Sequence, residues 1–171
     1  YTTLFRSIAD IQAIPSKIAE VLTLFPEKRI DILVNSAGTH HSHAFEEMTE
    51  EEYDRIMDVN VKGTFFMCQT VCSYMKRNHI KGHVLNLSSS SALRPSTGPY
   101  HLSKLAITGL TRGLAELYQP YGITVNAIAP GQTATPMLGK GNTDDISNSY
   151  AVAGRYIMPE EIASDRKSTR L

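Results

Sequence analysis

Hydrophobic positions recur along the chain in two alternating rhythms. Ile14, Ile18, Val21, Leu22 and Phe25 fall at helical spacing around Pro15, which suits a first turn, and Pro26 closes the run. Residues 29–38, RIDILVNSAG, form a compact apolar run breaking into a polar turn, which predicts a buried strand. Thr49 and Glu52 make a capping-box pattern that opens a long helix reaching about Asn78. GHVLNLSS (82–89) predicts a second buried strand, 98–119 a second long helix ended by Pro120, and ITVNAIAPG (123–131) a third strand. Residues 2–9 predict a short β-rich segment. From Pro136 to Met158 the pattern is weak and predicts a mobile stretch with one short helix, and a further helix begins at MPEEIAS.

Strand and helix thus alternate, which predicts an α/β fold, a parallel sheet covered by helices on both faces. In such sheets ligands lie beyond the carboxyl ends of the strands. The polar residues closing each strand are therefore the candidates for function: Asn35, Ser36, Ala37 and Gly38, then Ser88 and Ser89, then Pro130 and Gly131.

Composition narrows the partners. In 171 residues, 17 Lys and Arg balance 17 Asp and Glu, so no charge excess favours nucleic acid or an anionic membrane surface. No apolar run approaches a membrane span. Cys68 and Cys72 stand one helical turn apart and predict buried thiols in a reducing, cytoplasmic compartment, since a disulfide along one helix face is geometrically poor. His40, His41 and His43 lack a matching carboxylate or thiol, so they predict loop residues near a pocket mouth and no metal site.

The candidate chemistry lies in GPYHLSK (98–104), where Tyr100 and Lys104 share one helix face. A phenol is a poor base at neutral pH, and a nearby ammonium favours its ionised form. Such a pair can act as an acid/base, although Tyr and Lys one turn apart also occur on many solvated helices. Ser89 ends the preceding strand, where a hydroxyl can donate to a substrate carbonyl; in isolation 88–91 reads as an ordinary polar loop. Asn60 sits inside a helix in DVNVKG, with Gly63 one turn on, predicting a local kink and a functional side chain or a packing defect.

These segments resemble the short-chain dehydrogenases/reductases. YHLSK fits their Tyr-x-x-x-Lys motif, NSAG at 35–38 resembles their Asn-Asn-Ala-Gly turn, and ADI at 9–11 resembles the segment flanking the cofactor's adenine. DVNVKG carries their helical Asn, VLNLSS their catalytic Ser, and VNAIAPGQTATPM their Pro-Gly segment. All six occur in the family's order. The resemblance implies a Rossmann-like, doubly wound, three-layer α/β/α fold, and an NAD- or NADP-dependent oxidoreductase interconverting a ketone and a secondary alcohol. A 3-oxoacyl reductase or a sugar or polyol dehydrogenase is typical of such relatives. It implies that Tyr100 exchanges the proton, Lys104 lowers the tyrosine pKa and binds the nicotinamide ribose, Ser89 holds the substrate oxygen, and Asn60 supports a proton-relaying water. It further implies that Asp10 and Ile11 border the adenine and that Asn35, Ala37 and Gly38 line the cofactor. By the same resemblance, Pro130, Gly131, Thr133 and Thr135 are expected to meet its carboxamide and pyrophosphate. Two long helices of such proteins commonly build a homo-oligomer, a dimer or tetramer, which makes Phe65, Phe66, Met67 and Leu117 either interfacial or core.

The chain departs from the pattern in two ways. The family's Gly-rich turn, its first two strands and its last strand are absent, so 1–164 is expected to be a partial domain with an open edge at DILVN that binds cofactor poorly alone. A truncated or non-catalytic nucleotide-binding fragment is the competing expectation. The family's serine-to-tyrosine interval also lands on Leu87; aligning on the strand end selects Ser89, with Ser88 and Ser90 as alternatives. Residues 165–171 can be encoded by GATCGGAAGAGCACACGTCTG, which resembles the start of a common sequencing adapter, and are expected to be a non-native tail.

Overall fold

The computed structural model describes residues 7–40, 43–140 and 145–165. Helix α1 (Ile14–Leu24) precedes strand β1 (Ile32–Asn35); α2 (Glu50–Met57) and α3 (Thr64–Arg77) lead to β2 (His83–Leu87). Helix α4 (Pro99–Tyr118) leads to β3 (Thr124–Ile128), and α5 (Pro159–Asp165) ends the described chain. The three strands pair in parallel in the order β1-β2-β3, with Leu33 opposite Val84 and Val84 opposite Val125. This is a Rossmann-like α/β fold.

The row Leu33, Val84 and Val125 explains where the core forms. Side chains alternate across a strand, so this row faces one way. Ile14 and Ile18 of α1, Met67, Cys68, Val71, Cys72 and Met75 of α3, and Tyr118 of α4 pack with it in one cluster. Phe66 is partly buried against that cluster, whereas Phe65 and Leu117 are exposed, so the four residues divide between core and surface. On the other face of β1, Ile32 is 63% and Val34 45% exposed, so this strand is not buried on both sides as its apolar run suggests. Both cysteines are free and buried. Burial pushes the Cys68 thiol up to about 12 and the Cys72 thiol to about 11, which leaves them protonated and unreactive.

Three elements differ from the sequence reading. Residues 1–6 lie outside the described residues, and Ser7–Ala9 form a turn, not a strand, because the Ser7 hydroxyl accepts from Ala9 N at 3.2 Å and Ala9 O from Ile11 N at 3.0 Å. The helix over 49–78 is not continuous. It breaks into a π-helical turn at Asp58–Gly63, between α2 and α3. This is the kink that Asn60 and Gly63 signal. The weak stretch 136–158 carries a single short 3-10 turn at Pro136–Leu138 among its described residues, tied back where Thr133 bridges Ile157. Of the expected tail, 166–171 lie outside the described residues.

Local chemistry sets the element ends. The Thr49 hydroxyl accepts from Glu52 N at 3.2 Å and caps α2, as the capping-box pattern requires. Gly122, at φ 71°, ends the turn after α4 in the left-handed region that favours glycine. At Gly63 the requirement is space: a Cβ there would stand 2.7 Å from both the Ile8 side chain and the Ile8 main-chain oxygen. Gly63→Ala is therefore expected to cost about 1–3 kcal/mol by overpacking. Urea unfolding of the variant against the parent measures it.

Candidate active site

The parallel pairing brings three chain breaks to one end of the sheet. Asn35 is opposite Asn86 and Leu87 opposite Ile128, so the turns after β1, β2 and β3 lie side by side. Ser88 N donates to Ile128 O at 2.9 Å and Ser90 N to Pro130 O at 2.8 Å, continuing the pairing past the strands. Helix α4 starts beside these turns at Gly98–Pro99 and presents Tyr100 and Lys104 from one face.

The serines separate by role. Ser88 is buried, and its hydroxyl donates to Lys104 O at 3.0 Å and pairs with Thr108 Oγ1 at 2.8 Å. It ties the strand end to α4. Ser89 lies at the site: its hydroxyl is near enough to the Tyr100 phenol to favour the ionised form, and it receives Ser91 Oγ at 2.8 Å. Ser90 opens a short 3-10 turn. Of the three serines, Ser89 is the one whose hydroxyl bears on the Tyr100 phenol.

The charges here are set mainly by burial. Loss of solvent pushes the Tyr100 phenol above its ordinary value, and the Ser89 hydroxyl draws it part of the way back. Lys104 is 6% exposed, and burial lowers its ammonium from 10.5 to about 8. Its Nζ donates to Leu87 O at 2.8 Å and lies 5.7 Å from the Tyr100 ring centroid. The resemblance has Lys104 lowering the phenol; in this structure the net shift of Tyr100 is upward, because desolvation outweighs the pull of the serine hydroxyl.

The lysine shift has a testable sign. A folded-state value below the unfolded one means that the unfolded chain holds more protons between pH 8 and 10.5. The cost of burying the ammonium is present in full below pH 8 and is relieved as pH rises through that window. Stability of the parent relative to Lys104→Met is thus expected to increase from pH 7.5 to about 10. Urea midpoints of both proteins across that range test it.

Asn60 is 1% exposed within the π-helical turn, and every bond of its amide can be named. Oδ1 accepts from Thr39 N at 2.8 Å; Nδ2 donates to Thr39 O at 2.8 Å and to Ser103 Oγ at 2.9 Å. The side chain thus clamps the turn after β1 to α4. Arg55 grips the same turn from outside, through the Thr39 hydroxyl and, at 3.0 Å, His40 O. Gly38 lies between: a Cβ there would be 3.5 Å from Asn60 Oδ1 and 3.6 Å from Lys104 Nζ. His40 stands over the mouth, its ring edge-on to Tyr100 and its Nε2 2.9 Å from Met137 O. His43 pairs with Glu52, which raises the imidazole above its ordinary value, and His41 lies outside the described residues. Among the described residues, no group of three His, Cys, Asp or Glu converges as metal ligands.

Other anticipated cofactor residues are scattered around this centre. Ala37 is exposed and Gly38 half-buried at the end of β1. Pro130, Gly131, Thr133 and Thr135 follow β3 along the same rim, with Thr133 Oγ1 donating to Gly131 O at 3.1 Å. Asp10 is exposed at the start of α1, where its carboxylate receives Ala13 N at 3.4 Å, and Ile11 packs on the core. The Asn35 side chain does not face the rim. It is on the Leu33 side of β1 and donates to Asn86 Oδ1 at 2.8 Å and Cys68 Sγ at 3.1 Å.

Several polar residues of this centre are missing from the sequence reading: Ser103, Asn86 and Thr111. Asn86 Nδ2 donates to Thr111 Oγ1 at 3.0 Å, inside the sheet–helix interface. A signal existed. Ser103, Ile107 and Thr111 share one face of α4 at four-residue steps, and all three are buried, so hydroxyls on that apolar face need partners.

Fold and site together define a Rossmann-like protein with a hydroxyl–phenol–amine cluster at the carboxyl ends of its parallel strands. A family model described as short chain dehydrogenase matches residues 2–146, and the chain belongs to that family, one of oxidoreductases. The short-chain reductase protein NovJ of Streptomyces niveus is 38% identical over 168 residues, covering 92% of this chain and 63% of NovJ. The 3-oxoacyl-(acyl-carrier-protein) reductase FabG of Thermotoga maritima is 35% identical over 153 residues, covering 86% of this chain and 62% of FabG. Among solved structures, 3-ketoacyl-(acyl-carrier-protein) reductase from Brucella melitensis complexed with NADH superposes with a TM-score of 0.80 at 29% identity, covering 94% of this chain and 67% of that one. ElxO with NADP bound gives a TM-score of 0.82 at 26% identity, covering 95% and 67%. The chain spans less than two thirds of the length of either curated relative.

Proposed function

We propose that the protein containing this chain is an NAD- or NADP-dependent oxidoreductase that interconverts a ketone and a secondary alcohol on a small molecule, with 3-oxoacyl thioesters as the favoured substrate class. The observation that carries this reading is the convergence of the Ser89 hydroxyl, the Tyr100 phenol and the Lys104 ammonium at the strand ends. The thioester class is supported by the two acyl-carrier-protein reductases among its relatives and structural neighbours.

The residues fit the nicotinamide end of such a cofactor. Lys104 spends one N–H on Leu87 O, and an ammonium has three donors, so it can also hold ribose hydroxyls. Gly38, without a side chain, leaves the approach to Lys104 and Asn60 open. Tyr100 would share the ribose contact, and Ala37, Gly38, Pro130, Gly131, Thr133 and Thr135 would line the rest. The main chain of Asn35 belongs to that wall, and Asp10 and Ile11 would border the adenine. When bound, the cofactor supplies or accepts hydride.

The chain's own groups handle the proton. In the reducing direction Ser89 donates to the substrate oxygen as charge develops on it. Burial keeps the Tyr100 phenol protonated, so Oη can deliver its proton to that oxygen. Lys104, with its ammonium near 8, exchanges protons readily around neutral pH and can restore the phenol. Asn60 holds the turn beside this pair, in position to order a connecting water. Homo-oligomerisation through the exposed Phe65 and Leu117 and a cytoplasmic setting belong to the same proposal.

The serines give its sharpest internal check. Ser89→Ala is expected to lower kcat about 10²–10³-fold, the usual loss for one oxyanion donor. Ser88→Ala is expected to cost about 1 kcal/mol of stability, since its two partners, Lys104 O and Thr108 Oγ1, stay bonded to each other at 3.0 Å, with kcat changing far less. Steady-state kinetics and urea unfolding of both variants in the intact enzyme separate them. Equal catalytic losses would contradict the assignment.

A further inference from the structure

Resting on that reading, we propose that Ser103 is a positioning residue for the reaction: its buried hydroxyl fixes the Asn60 amide and, through it, the turn beside Lys104. Ser103 is completely buried. Its hydroxyl donates to Tyr100 O at 2.6 Å, a bond within α4, so its proton is committed. The oxygen's lone pairs are thereby turned toward Asn60, whose Nδ2 donates to them at 2.9 Å. One hydroxyl therefore joins the main chain of the acid residue to the helical asparagine.

The consequence runs through Asn60 to Thr39. An amide nitrogen has two hydrogens and its oxygen accepts. Thr39 O takes one hydrogen and Ser103 the other, while Thr39 N donates to Oδ1. With both hydrogens assigned, a flipped amide would place Oδ1 against Thr39 O and Nδ2 against Thr39 N–H, so a single orientation is favoured. Removing the Ser103 oxygen leaves one buried amide hydrogen unmatched. The side chain must then move to regain a partner, and Thr39 and Gly38 move with it, because they are held by the same group. Even a Cβ added at Gly38 would only just reach Lys104 Nζ, at 3.6 Å, so the turn borders the ammonium and its displacement changes the space where the proton is handled. Small misplacements of reacting groups cost far more in rate than in stability.

The test is a double-mutant cycle on kcat in the intact enzyme, using Ser103→Ala, Asn60→Ala and the pair. Asn60→Asp, which keeps the shape but cannot donate to Ser103, serves as a second background if Asn60→Ala folds poorly. Ser103→Ala is expected to lower kcat on the order of 10- to 10²-fold and to shift the pH dependence of kcat. In either Asn60 background it is expected to cost little more, because the path it acts through is already cut. A hydroxyl that only packs α4 would give multiplicative losses and an unmoved pH profile; that result, or a kcat within twofold of the parent, overturns the proposal. Amide hydrogen exchange at Thr39 reads the positioning without turnover. Exchange faster in Ser103→Ala supports it, and unchanged exchange overturns it. A parent protein inactive on every ketone, with Thr39 still deprotected by Ser103→Ala, would instead count against the functional reading alone.

Discussion

Tyr100→Phe in the intact enzyme is expected to lower kcat about 10²–10⁴-fold, the range associated with loss of a positioned general acid. The change removes one oxygen. The ring keeps its half-buried place at the start of α4 and its edge contacts with His40 and His101. The folded state is thus expected to lose little, because the neighbouring Ser89 hydroxyl retains Ser91 as a partner. Burial above the ordinary phenol value also gives a direction for pH. The tyrosine is held protonated across the neutral range, so ketone reduction should persist toward lower pH and fail as the phenol ionises. Alcohol oxidation needs the opposite protonation state and should rise with pH over the same interval. Steady-state rates in both directions from pH 6 to about 10 check this: reduction should not fall through loss of the phenol's proton in that range, which lies below its raised value, while oxidation climbs. A Tyr100→Phe enzyme with unaltered kcat would remove the phenol from the mechanism.

Asn60→Ala is expected to have the largest effect on stability. Three hydrogen bonds end on this buried amide, and alanine leaves Thr39 N–H, Thr39 C=O and the Ser103 hydroxyl without it. Thr39 is half-buried and Ser103 keeps its bond to Tyr100 O, so each lost hydrogen bond counts for about 1 kcal/mol; a total loss of roughly 3 kcal/mol is expected, a large share of a typical total of about 5–15 kcal/mol. The variant should also free the turn after β1, and with it Gly38 and His40 at the site mouth. Urea unfolding gives the first quantity; proteolysis or hydrogen exchange across 35–40 gives the second. A loss below about 1 kcal/mol would mean that water replaces the amide without strain.

Much of the site is legible in the sequence because its parts are local. A strand ends in NSAG or NLSS, and a helix presents Tyr100 and Lys104 one turn apart; both follow from periodicity alone. Asn60 is visible for a related reason, since a polar residue inside an apolar helix must answer to something nearby. The π-helical turn at Asp58–Gly63 is what it answers to. What escapes the sequence is non-local. That Ser88 serves α4 while Ser89 meets Tyr100 depends on which way each side chain leaves the strand end. The inward turn of Asn35 depends on its sharing the Leu33 face, and its partners Asn86 and Cys68 are 51 and 33 residues away in sequence. The upward shift of Tyr100 arises because desolvation there is stronger than the pull of the serine hydroxyl, a balance set by packing around the helix start. Exposure of Ile32 and Val34 is likewise invisible in an apolar run, which looks the same whether one face or two are covered.

Hydride is expected to pass directly to a substrate ketone at the Ser89–Tyr100–Lys104 cluster. This is tested most directly by supplying the intact protein with nicotinamide cofactor deuterated at the reactive carbon and a set of 3-oxoacyl thioesters. The expected result is consumption of reduced cofactor and an alcohol carrying one deuterium on the carbinol carbon, with both signals suppressed in Tyr100→Phe. Alcohol formed without the label, or labelled alcohol formed equally well by Tyr100→Phe, would contradict it.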